Sequence, residues 1–319
     1  MNRTSTWLTV AFLLALSMGC ERKFDLSTLP QEGAPTADTA YVQVSPAFTG
    51  FTQPQDVMIG NDQLLYVADT YANRIVMMNL AGAVLSARTM LRPISLAQDS
   101  RLDLLVGGEV IAASGDSVGA IFRVHLVYAS QDSAHHLEVA RIDTVWKEIA
   151  KPQRRFPGIT VLPDNTWLAV RTGTDNSSPI DPDARVLLFA ANDVFITPVP
   201  AFITGGQSPV SINKPTSIAS FPGVKDFVLA QSAAEVNYGA LWMIYEESSD
   251  FVGWLAKYDP TNPTDYFKVG RYVQPEAITI DDARRDIFVA DAGLDSVPPL
   301  REKVMLYVWD LPKILLRIS

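Results

Sequence analysis

The chain contains one cysteine and three histidines in 319 residues. A single thiol excludes an internal disulfide framework and a thiolate zinc site, and three histidines leave little for a histidine-rich metal centre. Positive charge is also scarce: Lys+Arg total 26 against Asp+Glu 35, a formal net charge of −9 with pI ≈ 4.9. That balance excludes a protein that grips nucleic acid by neutralising phosphates. The apolar run Trp7–Leu16 has ten residues, whereas a bilayer-spanning helix needs about 20. What is present is apolar bulk. Hydrophobic residues make up 48% and charged residues 19% of the chain, enough to bury a sizeable core.

Residues 1–19 have the form of a secretion signal, with Arg3 as the only charge ahead of the apolar run. The run ends in Ser17-Met18-Gly19-Cys20, and Cys20 is the lone cysteine. This segment resembles the bacterial lipobox, although Ser17 stands where Leu is usual and Leu16 lies one residue further back. The resemblance implies that Cys20 is lipidated and becomes the new N-terminus. The protein is then held on a membrane of the bacterial envelope, facing the periplasm or the cell exterior. Residues 20–40 follow as the lipidated Cys and a flexible tether, rich in small polar residues. Loss of Arg3 leaves 25 basic and 35 acidic residues, a net charge of −10.

From Tyr41 onward short runs of Val, Ile, Leu, Phe, Tyr and Trp alternate with turn residues, the all-β signal. Five segments share one grammar: a leading Pro, a short strand, a second strand ending in a small or polar residue, then a third strand. The clearest copies are Pro54–Val57, Leu64–Thr70, Asn73–Met77 and Pro275–Ile278, Ile287–Ala292, Lys303–Tyr307. Between them lie Pro93 with Leu104–Gly108 and Ile121–Val124, and Pro157 with Trp167–Thr172 and Arg185–Phe189. The remaining copy is Pro215 with Phe227–Ser232 and Trp254–Tyr258. From each leading Pro to the position held by Asp69 the spacing is 15, 15, 14, 16 and 16 residues. Fourth strands are expected over Val84–Met90, Val139–Trp146 and Tyr266–Tyr272. A four-stranded sheet cannot bury both faces alone, and radial stacking of copies solves this.

The pattern P-x-x-φ, φ-V-A-D, N-R-I, as in Pro54–Ile75, resembles the NHL repeat over roughly Pro54–Asp310. The resemblance implies a β-propeller of five or six four-stranded blades over residues 41–319, with Tyr41–Phe48 closing the last blade as its outermost strand. Some six-bladed relatives are gluconolactonase-type hydrolases or peptide-amidating lyases that use a channel metal. The lyases depend on several histidines, whereas His125, His135 and His136 read here as strand and surface residues.

The candidate site residues come from two sets. The Asp69 position holds Asp69, Gly108, Arg171, Gln231 and Asp291. These form a polar mouth for a ligand, or else the carboxylates accept backbone N–H groups of the loop that follows. The inner strands place Gln55, Asp56, Ile94, Ser95, Gly158, Thr216, Ser217 and Glu276 along a central channel. Asp56 and Glu276 either hold Ca²⁺ with carbonyl oxygens and waters or are solvated walls, the plainer and preferred reading. Asp175–Asp183 is an acidic insertion expected to be a solvated loop, and the pairs Arg154-Arg155 and Arg284-Arg285 are expected in solubilising turns. Tyr238–Phe251, with five consecutive large apolar residues from Leu241 to Tyr245, reads as an insertion that forms an extra strand pair, a lid or a partner surface. The favoured role is a non-catalytic module without cofactor that binds a protein, peptide or glycan, with Asp56, Glu276, Arg171 and Gln231 as ligand-binding residues. The alternative is a metal-dependent lactonase or lyase with its site in the channel.

Overall fold

The computed structural model describes residues 47–127, 136–178, 180–200, 212–232, 239–247, 250–255, 274–281, 287–292 and 303–307. From Thr49 onward the chain forms one unit. The expected closing strand at 41–48 lies almost wholly outside the described residues, as do Tyr266–Tyr272, Arg284-Arg285 and His135.

Nineteen strands are described, all paired antiparallel. The first sheet runs β1 (Asp56–Ile59), β2 (Leu65–Asp69), β3 (Arg74–Met78), β4 (Val84–Thr89) in spatial order. The second is β5 (Ser95–Gln98), β6 (Leu104–Ile111), β7 (Ser117–His125), β8 (Arg141–Lys147). The third is β9 (Arg155–Val161), β10 (Trp167–Thr172), β11 (Arg185–Phe189), β12 (Phe195–Pro198). The fourth is β13 (Pro215–Ser220), β14 (Phe227–Gln231), β15 (Ala240–Glu246), β16 (Asp250–Leu255), and the fifth is β17 (Pro275–Ile280), β18 (Ile287–Asp291), β19 (Lys303–Tyr307). The first strands pack in series, β1 on β5, β5 on β9, β9 on β13 and β13 on β17. An all-β chain of meander sheets stacked through their first strands is a propeller-like fold. Among the described residues no helix is long and apolar enough to cross a membrane.

The second strands of the first three sheets are apolar on both faces because each feeds two cores. In β10, Trp167 and Ala169 point into the core shared with the second sheet, while Leu168 and Val170 join the core shared with the fourth and fifth sheets. In β6, Leu104 and Val106 face the first sheet and Leu105 faces the third. Trp167 stacks on Phe189 at 4.0 Å, and Trp146 meets Phe189 edge-on at 5.7 Å, binding the second sheet to the third. The leading prolines sit before or at the start of a first strand, except Pro157 inside β9, and the pairing shifts register beside Pro215 and Pro275. These are positions where a missing N–H costs little.

The fourth sheet corrects one expectation. The run Leu241–Tyr245 is no insertion: it lies in β15, the third strand, paired through Phe227↔Met243 and Leu229↔Leu241. Of the segment expected as third strand, Trp254–Tyr258, the first two residues instead end β16, the fourth strand, and residues 256–258 lie outside the described residues. Leu241, Trp242 and Met243 are buried, and Trp242 packs on Phe221 with the rings tilted by 30°, so these three side chains form core and not a partner surface.

Sheets pack closely enough to require glycine at two contacts. A Cβ on Gly119 of β7 would lie 2.3 Å from the carbonyl oxygen of Arg154, and one on Gly107 of β6 would lie 2.4 Å from that of Phe156. Gly119→Ala must therefore push the third sheet's lead-in backbone away. We expect a loss of about 1–3 kcal/mol, read as a lowered denaturant midpoint with unchanged m-value.

Candidate functional site

The ends of the second strands gather at one rim, and most of the side chains there hold backbone. Asp69 is fully buried. Its Oδ1 accepts the Thr52 N–H at 2.6 Å and its Oδ2 accepts Arg74 Nε at 2.8 Å. Thr52 lies in the loop that leads into β1. Asp291 does the same for Gln274 N–H at 2.6 Å, and Gln231 Oε1 for Asn213 N–H at 3.0 Å. The return bonds, Tyr71 N–H to Thr52 O and Ala292 N–H to Gln274 O, close the same loops from the other side. The recurrent position thus clamps the lead-in loop of its own sheet, not the following loop. Regular spacing revealed the position, but the partner lies upstream and carries no residue signature.

Gly108 offers no side chain, and there Asn73 Oδ1 from the first sheet accepts the Arg92 N–H at 3.0 Å. Arg171 replaces the acid with a cation. Its cross-strand partner is Arg185, a like-charge pair where the first sheet has Asp69 and Arg74. The compensation comes from the acidic insertion. Arg171 donates to Glu148 Oε1 at 3.1 Å, to Asp181 Oδ1, and to the carbonyls of Pro182 and Asp183 at 2.8 and 3.2 Å. Arg154 donates to Asp183 at 2.7 Å, Asp181 at 2.7 Å and Glu148 at 3.1 Å.

Arg154 is 3% exposed and Asp183 0%, which overturns two expectations: this arginine is not a solubilising turn residue, and the loop 175–183 is not simply solvated. Burying the arginines demands counter-charges, and the insertion supplies them. Burial is the largest influence on the Asp183 carboxyl and would raise it; the Arg154 hydrogen bond and charge, with the hydrogen bonds from Asp175 N–H and Gln153, together outweigh it and hold the group below the usual range. Arg155 pairs with Glu109 at 2.9 Å and so links the third sheet to the second.

The inner-strand residues stitch neighbouring sheets. Asp56 Oδ2 accepts the Leu96 N–H of β5 at 2.7 Å, and Oδ1 accepts Val57 N–H at 2.8 Å. Ser95 donates to Phe156 O at 2.7 Å, Thr160 to Ser220 at 2.9 Å, and Thr216 to Pro275 O at 2.8 Å. Ser217 donates to Ile278 O at 3.4 Å. Gly158 lets the β13 backbone approach, since a Cβ there would lie 3.0 Å from Ile218 N. Glu276 is exposed and takes a hydrogen bond from Gln274 Nε2 at 2.5 Å, and Gln55 is exposed. Asp56 and Glu276 thus have different partners. Among the described residues no three His, Cys, Asp or Glu are grouped to hold a metal ion. His125 ends β7, its ring nitrogens 2.9 Å from Asp103 and 3.0 Å from Asp143, and His136 is exposed.

Sequence reasoning missed the apolar side chains of this rim. Tyr71, Ile111, Ile149 and Ile180 are 57, 62, 63 and 84% exposed. They stand on the β2–β3 connection, the end of β6, the β8–β9 connection and the β10–β11 connection. Only their position in loops or at a strand end set them apart from core residues.

No family model matches the chain, and no curated protein matches it. Among solved structures it is similar to the calcium-binding protein regucalcin of Agrobacterium tumefaciens, with 11% identity over 77% of this chain and 70% of that one, TM-score 0.48. It is similar to an oxidoreductase (glucose dehydrogenase) of Thermus thermophilus, with 17% identity over 81% and 85%, TM-score 0.49. A third is virginiamycin B lyase of Staphylococcus aureus, with 12% identity over 75% and 77%, TM-score 0.40. The propeller-like arrangement rests on strand order and first-strand packing, not on these distant likenesses.

Burial pushes the Asp56 pKa up to about 6 from 3.8, against the lowering effect of its two backbone hydrogen bonds. The native carboxyl therefore keeps its proton where the unfolded chain has lost it, and stability falls as pH rises from about 4 to 6. Asp56→Asn removes the titrating group while leaving one of the two acceptors. We expect it to flatten that pH dependence, measured by denaturant melts at both ends of the window.

Proposed function

We propose that the chain is a lipid-anchored, propeller-like binding module of the bacterial envelope that presents one rim to a protein, peptide or glycan. The observation that supports this reading is the exposure of Tyr71, Ile111, Ile149 and Ile180 on the loops and a strand end of that rim. Large apolar side chains held out on a rigid frame are what an interface needs. The frame is provided by the clamps and stitches described above, so Arg171 and Gln231 serve a partner through the loops they hold. The finer parts of the proposal are NHL-like blades, five or six in number, closure by Tyr41–Phe48, and lipidation at Cys20.

The rival reading is a channel hydrolase with Ca²⁺ at Asp56 and Glu276, and the raised Asp56 pKa is the feature that favours it. The donor set does not fit. Each Asp56 oxygen already accepts a backbone N–H, whereas Ca²⁺ takes about 6–8 oxygen ligands. No catalytic step is assigned through it.

Photocrosslinkers placed singly at Ile111 and Ile180 in the full chain, in cells, are expected to capture one common partner. A crosslinker at Leu80, exposed in the β3–β4 turn of the opposite rim, is expected to capture none. Cys20→Ser should move the chain from the membrane to the soluble fraction. Equal capture from both rims would contradict the rim assignment. A stoichiometric divalent ion, lost when Asp56 and Glu276 are both replaced by Ala, would favour the hydrolase instead.

A further inference from the structure

The first sheet has two apolar faces but one described neighbour. Tyr66, Ala68, Ile75 and Met77 enter the core shared with the second sheet. The residues between them face the other way. Strand pairing sets Val57, Val67 and Val76 side by side in one row of that face, and Ile59, Leu65, Met78 and Val84 in the next. Neither row holds a charge. Among the described residues β5, β9 and β13 each pack between two other first strands, whereas β1 packs on β5 and β17 on β13.

This face is covered at its centre and bare on its flanks. Val67, Val76 and Met78 are 6, 1 and 1% exposed, while Val57, Ile59 and Val84 are 62, 62 and 60% exposed. Among the described residues the partly buried apolar side chains packed on the central three are Phe51 and Leu65, from the lead-in loop and the sheet itself. No other sheet contributes to this cluster. Clustered exposed apolar side chains on a sheet face mark a packing surface.

We propose that the chain beyond β19 supplies the cover, with Lys313–Ile318 lying across this face of the first sheet. Residues 308–319 follow β19. Extended, they reach about 40 Å, against about 15 Å for the width of a four-stranded sheet. Their sequence has the form of a half-buried strand: Ile314, Leu316 and Ile318 alternate with Lys313, Leu315 and Arg317. The apolar side meets Val57 and Ile59, and the two cations stay in solvent. The other candidates fit less well. Residues 256–273 and 293–302 are tied at both ends to strands of the fourth and fifth sheets, the tether 21–40 is rich in small polar residues, and Tyr41–Phe48 is assigned above to the last blade. The face is distinct from the loop rim, so this proposal and the partner reading can fail separately.

The test places cysteine pairs in the chain carrying Cys20→Ser and oxidises them with copper phenanthroline. Ile59→Cys should form a disulfide within one chain with Ile314→Cys, Leu316→Cys or Ile318→Cys. Pairing with Lys313→Cys, Leu315→Cys or Arg317→Cys should be roughly fivefold weaker, since alternate residues of a strand face opposite sides. As a second measurement, Ile59→Asp and Leu316→Asp should each lower the melting midpoint. The double variant should lose less than the sum of the two, because a shared contact is lost only once. The proposal is overturned if Ile59→Cys pairs with Val42→Cys in place of the C-terminal positions, or if its disulfides join two chains, which would make the face an interface between copies. It is also overturned if all six C-terminal positions react alike, if none reacts, or if the two aspartates act additively.

Discussion

A sheet that is apolar on both faces must be flanked on both sides, and the geometry of this protein follows from that constraint. Trp167 and Leu168 are adjacent in one strand yet belong to different cores. Burial supplies the driving force for stacking but sets neither the angle nor the height of one sheet on the next, because apolar contact is non-directional. Hydrogen bonds do that. Between successive first strands the pairs Asp56–Leu96, Ser95–Phe156, Thr160–Ser220 and Thr216–Pro275 fix each sheet against the next. At the rim, Asp69, Gln231 and Asp291 fix the loop by which the chain enters each sheet.

The third sheet shows what happens when this pattern is broken. With Arg171 in place of an acid, two arginines face each other across β10 and β11. The chain compensates with a longer connection whose Asp181 and Asp183 return negative charge, assisted by Glu148 from the segment after β8. A rigid, charge-balanced loop then carries Ile180 out into solvent at the rim. Departure from the repeat, structural compensation and an exposed apolar side chain thus coincide at one place.

The repeat was readable because Pro, the φ-V-A-D turn and the 14–16 residue spacing recur. The strands Trp167–Thr172 and Arg185–Phe189 were expected with the bounds they have. The third strand of the fourth sheet was not. Leu241–Tyr245 has no polar alternation, since a strand buried on both faces has no solvent side, and periodicity cannot tell it from an inserted apolar segment. The buried charges failed for the opposite reason. Arg154 and Asp183 read as solvated because such residues are mostly exposed, and only their mutual proximity, set by the third sheet's connections, makes burial tolerable. Spacing placed Asp56, Ser95, Thr216, Ser217 and Glu276 on first strands, where they lie, while Gln55 and Ile94 fall one residue before theirs. The partners of Asp56, Ser95 and Thr216 lie 40 to 61 residues away in the next sheet, a distance at which no local pattern survives.

The central claim is that polar side chains at the strand ends hold the chain's own backbone. Amide hydrogen exchange at Thr52 tests it most directly. In the wild type this amide should be protected by Asp69. In Asp69→Ala its protection should fall at least tenfold towards that of an open loop, in Asp69→Asn it should largely survive, and Gln274, held by Asp291 in another sheet, should be unchanged in both. Thr52 exchange that is equally slow in Asp69→Ala, or already fast in the wild type, would contradict the account.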